Sequence, residues 1–500
     1  RARSKNTNGK KSYSGPSKGN HKAANGTSNS NKNKSYNRIN NNRTRKTESS
    51  GGPTWAKNRT DNAKHKTGRD NHSPSGKTEP VMSPQLQFPS FRPGAIRGTN
   101  IRRAQDHLKE NTKNLSSDTL KVIPLGGLME IGKNMTVFEY GNDMIIVDCG
   151  VLFPEESQPG IDAVIPDFNY VLDNVDKLRA IFITHGHEDH IGSLPYLMPK
   201  IKKNVPIYAG KLAAELIKTK FEDRGIRQYN RQVYAVEPGQ SRRAGVFEIE
   251  FINVNHSIAD AFCLAIKSPA GIAVASGDFK VDYTPVNGES IDLARLAQLG
   301  QEGVLLYLGE STNVNRPGFT MSEKTVGQTF AQQFALAEGR IFVATFSSNV
   351  SRVQQIISAA EEVGRKVALV GRSMLNVFNA ANNLGYIHMK ANTLIELQEV
   401  NNFRPDEICI ISTGSQGEPM SALTRMAYAE HRSIEIQDGD TVIISATPIP
   451  GNEKPIFRVI DELYKRGAKV VYSDIAAIHV SGHANREEHK LMHHLLKPQY

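Results

Sequence analysis

The chain has 500 residues, 38% hydrophobic and 23% charged, with a net charge of +11. That length exceeds one ordinary core, so two or more domains are expected. No apolar run reaches bilayer-spanning length. Cys149, Cys263 and Cys409 lie in apolar stretches without paired spacing, which reads as reduced thiols in a cytoplasmic protein. No charged-then-apolar leader follows Arg1, and a chain that opens on Arg reads as a fragment or processed form.

The charge is split. Residues 1–120 hold 25 Lys and Arg against 7 Asp and Glu, and the remainder carries a net −7. Residues 1–115 read as a disordered, basic, low-complexity tail, because Asn, Ser, Lys and Gly offer too little apolar area to offset ordering. Tyr13, Tyr36 and Trp55 stand among the basic residues, a mix suited to a phosphate backbone with occasional base stacking. The alternative is a solubilising tail without a partner.

From Lys121 the texture changes. "KVIPLGGLMEIGKNMTVFEYGNDMIIVDCG" reads as two strands around a glycine turn and a third strand ending at Asp148. "LRAIFIT" is a strand that runs into "HGHEDHIG". "VPIYAG" is another strand, "KLAAELIKTKFEDRG" a helix, and "FEIEFINVNHSIADAFCLAIKS" and "AGIAVASGDFKVD" are further strands. Strands dominate here, which suggests a sheet sandwich flanked by helices. After Met321 strands and helices alternate: "RIFVATF" with "VSRVQQIISAAEEVG", "KVALVG" with "SMLNVFNAANNLG", "EICIIS" with "PMSALTRMAYAE", "DTVIISAT" with "KPIFRVIDELYKRG". That is the pattern of a parallel, Rossmann-like sheet.

"HGHEDH" crowds metal-type ligands at a strand end. Alternate residues of an extended segment share a face, so His185 and His187 reach one ion while Asp189 and His190, past the turn, reach a second. His256 in "NVNHSIAD" and Asp278 in "VASGDFKVD" follow later strands and extend the set, with Asp278 able to bridge. Asp148 is expected to hold a ligand from behind. Paired ions favour phosphoryl chemistry, since they stabilise attacking and leaving oxygens together.

"VDCG", "THGHEDHIG", "NHSIAD" and "SGDFK", in that order, resemble the metallo-β-lactamase fold. An α/β domain interrupting it after "YLGEST" resembles the β-CASP nucleases. Within them, "GLMEIGKN", "GDFKVDYTPV", "ATFSSNVSR", "TGSQGEPMSAL" and "HVSGHA" are similar to the bacterial ribonuclease J family, from Lys121 to the end. The resemblance implies an α/β fold: an αββα sandwich with an inserted Rossmann-like β-CASP domain. The first part of the catalytic domain would cover 116–320, the insertion 321–480, and the return 481–500.

The resemblance also implies a two-zinc ribonuclease, with manganese or magnesium as alternative ions. His185, His187 and His256 would hold one zinc, Asp189 and His190 the other, with Asp278 between. Asp189, Glu310 and His483 would serve catalysis. His479, Val480, Ser481, Gly482 and His483 would contact substrate. The substrate would be single-stranded RNA with a 5′-monophosphate end, degraded 5′ to 3′ and also cut internally, in mRNA decay and rRNA maturation. A homodimer or homotetramer, sometimes beside a helicase or the ribosome, would be expected, with no membrane association.

The second domain's loops fit a phosphate grip. Ser347, Ser348 and Asn349, then Arg372 and Ser373, then Thr413, Gly414, Ser415, Gln416, Glu418 and Ser421 follow strands and lead into helices. Free N–H groups at helix starts hold phosphate, and Arg372 adds a forked charge. Any single loop could equally be an ordinary helix cap. A last histidine ligand, expected in a strand beyond "SGH", would lie past Tyr500. His493 and His494 sit in a helix-like stretch and are not assigned to it. The chain as given is therefore expected to hold its second ion poorly. Rival readings are a DNA-directed β-CASP nuclease, a small-molecule hydrolase of the lactamase fold, and a metal-poor RNA-binding scaffold.

Overall fold

The computed structural model describes residues 119–154, 158–449 and 452–500. The tail expected over residues 1–115 lies outside the described residues.

Two sheets face each other. The first holds β1 (Leu120–Gly126), β2 (Met135–Tyr140), β3 (Asp143–Val147), β4 (Leu178–Phe182), β5 (Ile207–Gly210) and β6 (Val233–Val236), in that spatial order. Short helices α1 (Asn169–Asp173), α2 (Glu188–Ile191) and α3 (Leu194–Leu197) and the longer α4 (Lys211–Asp223) connect its later strands. The second sheet holds β7 (Ser241–Ala244), β8 (Phe247–Val254), β9 (Ala261–Ser268), β10 (Gly271–Ala275) and β11 (Val304–Leu308), in the order β11-β10-β9-β8-β7. Helix α5 (Leu293–Glu302) joins its last two strands, which pair in parallel.

The period-2 alternation of strands decides the layers. On β9, Phe262, Leu264 and Ile266 point between the sheets and meet Phe138, Ile145 and Phe182 of the first sheet. The intervening Ala261, Cys263 and Ala265 point outward, under α5 and the last helix, α11 (Arg486–Leu496). Both faces of β9 are covered, which is why its sequence reads as a nearly continuous apolar run. Phe251 sits at the centre, with ring centroids 6.0 Å from Phe182 and 5.3 Å from Phe262.

The third sheet is wholly parallel: β12 (Ile341–Ala344), β13 (Lys366–Val370), β14 (Ile408–Ser412), β15 (Thr441–Ile444) and β16 (Lys469–Val471), ordered β13-β14-β12-β15-β16. Helices α6 (Lys324–Leu336), α7 (Val350–Glu362), α8 (Arg372–Asn383), α9 (Ala422–Ala427) and α10 (Glu453–Lys465) cover it. Cys409 and Ile411 enter one core, Ile408 and Ile410 the other. Helix α9 is shorter than its sequence suggests. Ser421 caps its start, and Ala429 takes a left-handed φ of 56° just past its end. Helices α5 and α6 escaped the sequence reading. The expected α/β fold, a two-sheet sandwich with an inserted parallel sheet, is the fold found. All three cysteines are buried and free, and burial raises the thiols of Cys263 and Cys409 to about 12.

Candidate metal centre

Past β4 the chain bends at Thr184, and His187, itself extended (φ −71°, ψ 154°), leads into α2. The segment after β3 presses against that turn. A Cβ on Gly150 would lie 1.5 Å from the Asp189 carbonyl oxygen, so only glycine allows the approach. The Cys149 N–H donates to the His190 carbonyl at 2.7 Å. Asp148 adopts a left-handed φ of 60°, a conformation Asp tolerates better than most side chains. That bend turns its carboxylate back to accept from the Thr184 N–H (2.8 Å) and hydroxyl (2.9 Å).

Two ligand sets converge. His187 Nδ1 stands 3.1 Å from His185 Nε2 and 3.1 Å from His256 Nε2, and Asp278 Oδ2 stands 3.7 Å from the last two. Around one ion at zinc–nitrogen distance, tetrahedral ligands sit about 3.3 Å apart. The same Asp278 oxygen lies 3.4 Å from His190 Nε2, which is 3.5 Å from Asp189 Oδ2. Asp278 therefore belongs to both sets.

Each ring's far nitrogen has its own partner. His256 Nδ1 donates to the Gly482 carbonyl (2.7 Å) and His190 Nδ1 to Asp148 (2.8 Å). His185 Nδ1 meets the Thr184 hydroxyl at 3.1 Å, and His187 Nε2 meets the Ser348 hydroxyl at 3.1 Å. In His185, His187 and His256, far nitrogens that donate leave the lone pairs of the near nitrogens inward, as ligation requires. Ser348 comes from the third sheet, so the inserted domain closes the site.

The electrostatics fit a cation. Burial pushes His185 and His256 well below the usual histidine range and His187 to about 4, which keeps them neutral, as ligands must be. Burial opposes charge on His190 too, but Asp278, Asp189 and Asp148 outweigh it and hold the ring well above that range. Burial likewise opposes the Asp278 carboxylate, yet His190 and His483 hold it ionised. The acid-rich set draws positive charge onto His190, the charge a bound ion would bring. Beside it, His483 Nδ1 donates to Glu310 Oε2 at 2.8 Å and lies 3.9 Å from Asp278. Burial lowers His483, but Glu310 overrides it and raises the ring to about 9. Glu310 Oε1 also accepts from the Phe279 N–H at 3.0 Å, tying His483 to the loop that carries Asp278.

Residues 140–307 match the beta-lactamase superfamily domain, and residues 338–463 match the beta-CASP domain of ribonuclease J. The ribonuclease J of Thermus thermophilus is 43% identical over 396 residues, covering 78% of this chain and 69% of that one. The chain belongs to the ribonuclease J family. The Mycobacterium tuberculosis member is 44% identical, covering 77% and 68%. The Synechocystis member is 45% identical over 390 residues, and this chain spans 60% of its length. A solved protein of unknown function from Enterococcus faecalis shares the fold, with a TM-score of 0.55 at 18% identity over 76% of this chain and 92% of that one.

The loops read as a phosphate grip follow β12, β13 and β14, at the C-terminal ends of these neighbouring parallel strands. Their side chains divide. Asn349 is buried and caps α7, accepting from the Arg352 N–H, and Ser421 caps α9. Gln416 is buried too, bonded to Thr447 and Ile449. Ser347 borders an apolar gap between α7 and α8. Arg372, Ser373 and Glu418 are exposed. Gly371 and Gly414 take φ of 111° and 108°, and a Cβ on Gly371 would crowd Thr413, so these loops touch. His493 and His494 lie on α11, away from the ligand sets, with His493 against Tyr307.

Two contacts escaped the sequence. The Asn134 amide lies 3.1 Å from His190 Nε2 and 3.4 Å from Asp189 Oδ2, and its N–H donates to the Asp189 carbonyl. Thr184 joins Asp148 to His185. "GLMEIGKN" and "ITHGH" contain both residues, but nothing in the spacing announces such contacts.

Proposed function

We propose that the protein is a zinc-dependent ribonuclease that hydrolyses single-stranded RNA, 5′ to 3′ from a monophosphorylated end and also internally. Its setting would be mRNA decay and rRNA maturation in a bacterial cytoplasm. The reading rests above all on the two ligand sets that share one Asp278 oxygen. The similarity to ribonuclease J proteins supports RNA as substrate.

His185, His187 and His256 would hold one ion, and Asp189 and His190 the other, with Asp278 between them. Bound there, zinc supplies a Lewis acid for phosphoryl oxygens and a nucleophile at neutral pH. The chain's own groups do the rest. Asp148, Thr184, Ser348 and the Gly482 carbonyl hold the imidazoles in register. His483, kept protonated by Glu310, stands beside Asp278 with a proton for a leaving oxygen. The N–H groups starting α7 and α8, with the exposed Arg372, would take the 5′ phosphate. Residues 116–320 and 481–500 would form the catalytic domain and 321–480 the insertion. Among the described residues no helix is long and apolar enough to cross a membrane. Self-association as a dimer or tetramer, and contact with a helicase or ribosome, belong to the same proposal.

The test uses the full-length protein with 5′-labelled RNA carrying a monophosphate, the same RNA with a triphosphate, and a DNA copy. Mononucleotide from the monophosphate RNA alone is the expected result. Internal fragments from all three would remove the 5′-end pocket. No cleavage with zinc or manganese would leave an RNA-binding scaffold.

A further inference from the structure

Under the 478–483 segment lies an ionic network outside the ligand sets. Arg352, on the first turn of α7, has 0% exposure, a rare place for a guanidinium. Its Nε and Nη2 donate to both oxygens of Glu323 at 2.7 and 2.9 Å, a forked pair. Its Nη1 donates to the Ser445 carbonyl at 3.0 Å and to His479 Nδ1 at 2.8 Å, and Nη2 also reaches the Val480 carbonyl at 3.3 Å. The Glu323 N–H donates to Asp282 at 3.1 Å, and Asp282 pairs with the buried Lys280 at 3.4 Å, two residues past Asp278. One side chain thus joins the inserted sheet, the loop carrying Asp278 and the segment leading to His483.

One of these bonds sets a chemical state. A guanidinium has no lone pair to offer, so His479 Nδ1 must accept and the ring proton must sit on Nε2. Burial, aided by the guanidinium, holds His479 at about 3, so the ring is neutral. A neutral imidazole that accepts at Nδ1 is a hydrogen-bond donor at Nε2.

We propose that Arg352 is a positioning residue: it locks His479 as an Nε2–H donor and pins residues 479–483, so that this segment takes phosphate or sugar oxygens of the substrate. The substrate half of this inference rests on the RNA reading above; the tautomer does not.

The test needs two readouts. Full-length protein labelled with 15N-histidine, with His479→Gln to assign the ring, reports the tautomer through two- and three-bond 1H–15N correlations. The wild type is expected to show Nε2–H alone. The double variant Arg352→Met/Glu323→Met removes the ion pair whole and strands no buried charge, so its fold should survive. It is expected to lose that signature. Its KM for monophosphate RNA should rise about ten- to hundredfold, the worth of one hydrogen bond to a charged acceptor. Arg352→Lys, which keeps the charge but not the fork, should raise KM in the same direction and serves if the double variant misfolds. A wild-type ring protonated on Nδ1, or variants with unchanged spectrum and KM, would overturn the inference. A wild type inactive on RNA would fail only the RNA reading, and the spectrum would still decide the tautomer.

Discussion

Asp148→Asn isolates the effect of ligand orientation on metal affinity. Asp148 takes the His190 Nδ1–H at 2.8 Å and the Thr184 N–H and hydroxyl at 2.8 and 2.9 Å. An asparagine keeps one oxygen and replaces the other with an NH2 group. With the oxygen on the Thr184 N–H, the amide faces His190 Nδ1, which must then accept. The ring proton moves to Nε2, the atom 3.4 Å from Asp278 and 3.5 Å from Asp189. Loss of such an outer partner costs about 10- to 100-fold in metal affinity, roughly 1.4–2.8 kcal/mol. Zinc titration of the full-length protein against a chromophoric chelator should resolve two ions, with the ion of the Asp189–His190 set affected more. The His185, His187 and His256 set should lose less, since Ser348 and Gly482 hold two of its rings and only His185 reaches Asp148, through Thr184. Two unchanged affinities, or equal loss of both ions in a folded protein, would refute the reasoning.

Gly482→Ala would place a Cβ 2.8 Å from His256 Cε1 and Nδ1; single-turnover cleavage should fall on the order of 100-fold with the thermal transition intact, since small displacements at a reacting centre cost that much. Glu139 is buried and bonded to Lys121 (2.9 Å), Lys177 (3.0 Å) and Tyr170 (2.9 Å). Burial opposes its charge, but these partners prevail and lower its pKa below the usual value. Its stabilisation is therefore present above the unfolded carboxylate pKa and disappears as pH falls through the lower folded value. Glu139→Gln should cost about 1–3 kcal/mol at pH 7, and the gap from wild type in thermal unfolding should close below about pH 4. Phe251→Ala, at the centre of the sandwich, should cost about 3–5 kcal/mol in denaturant unfolding.

Local chemistry was legible in the sequence; long-range chemistry was not. "HGHEDH" names four groups within six residues, and a strand end presents them together whatever surrounds them. The parallel sheet was readable because each strand–helix unit carries its own apolar period, and the alternation of β14 feeds two separate cores. Arg352 stood in plain view in "NVSR", but its partners lie 29, 93, 127 and 128 residues away. Nothing local tells a buried arginine from a solvated one on a helix. Asn134 is similar, 55 residues from Asp189. The serine- and glycine-rich loops misled in the other direction. Asn349 and Ser421 cap helices, and Gln416 staples one loop to the next, so residue type alone could not separate a structural polar group from one free to meet a ligand.

The outer hydrogen bonds of the histidines also impose an order of assembly. His187 waits for Ser348, 161 residues downstream, and His256 waits for Gly482, 226 residues downstream. During synthesis the sandwich strands emerge first, yet their ligands lack fixed orientation until the inserted sheet has folded and the chain has returned. A ribosome making this protein would therefore carry an unfinished ligand set until residue 482 has emerged.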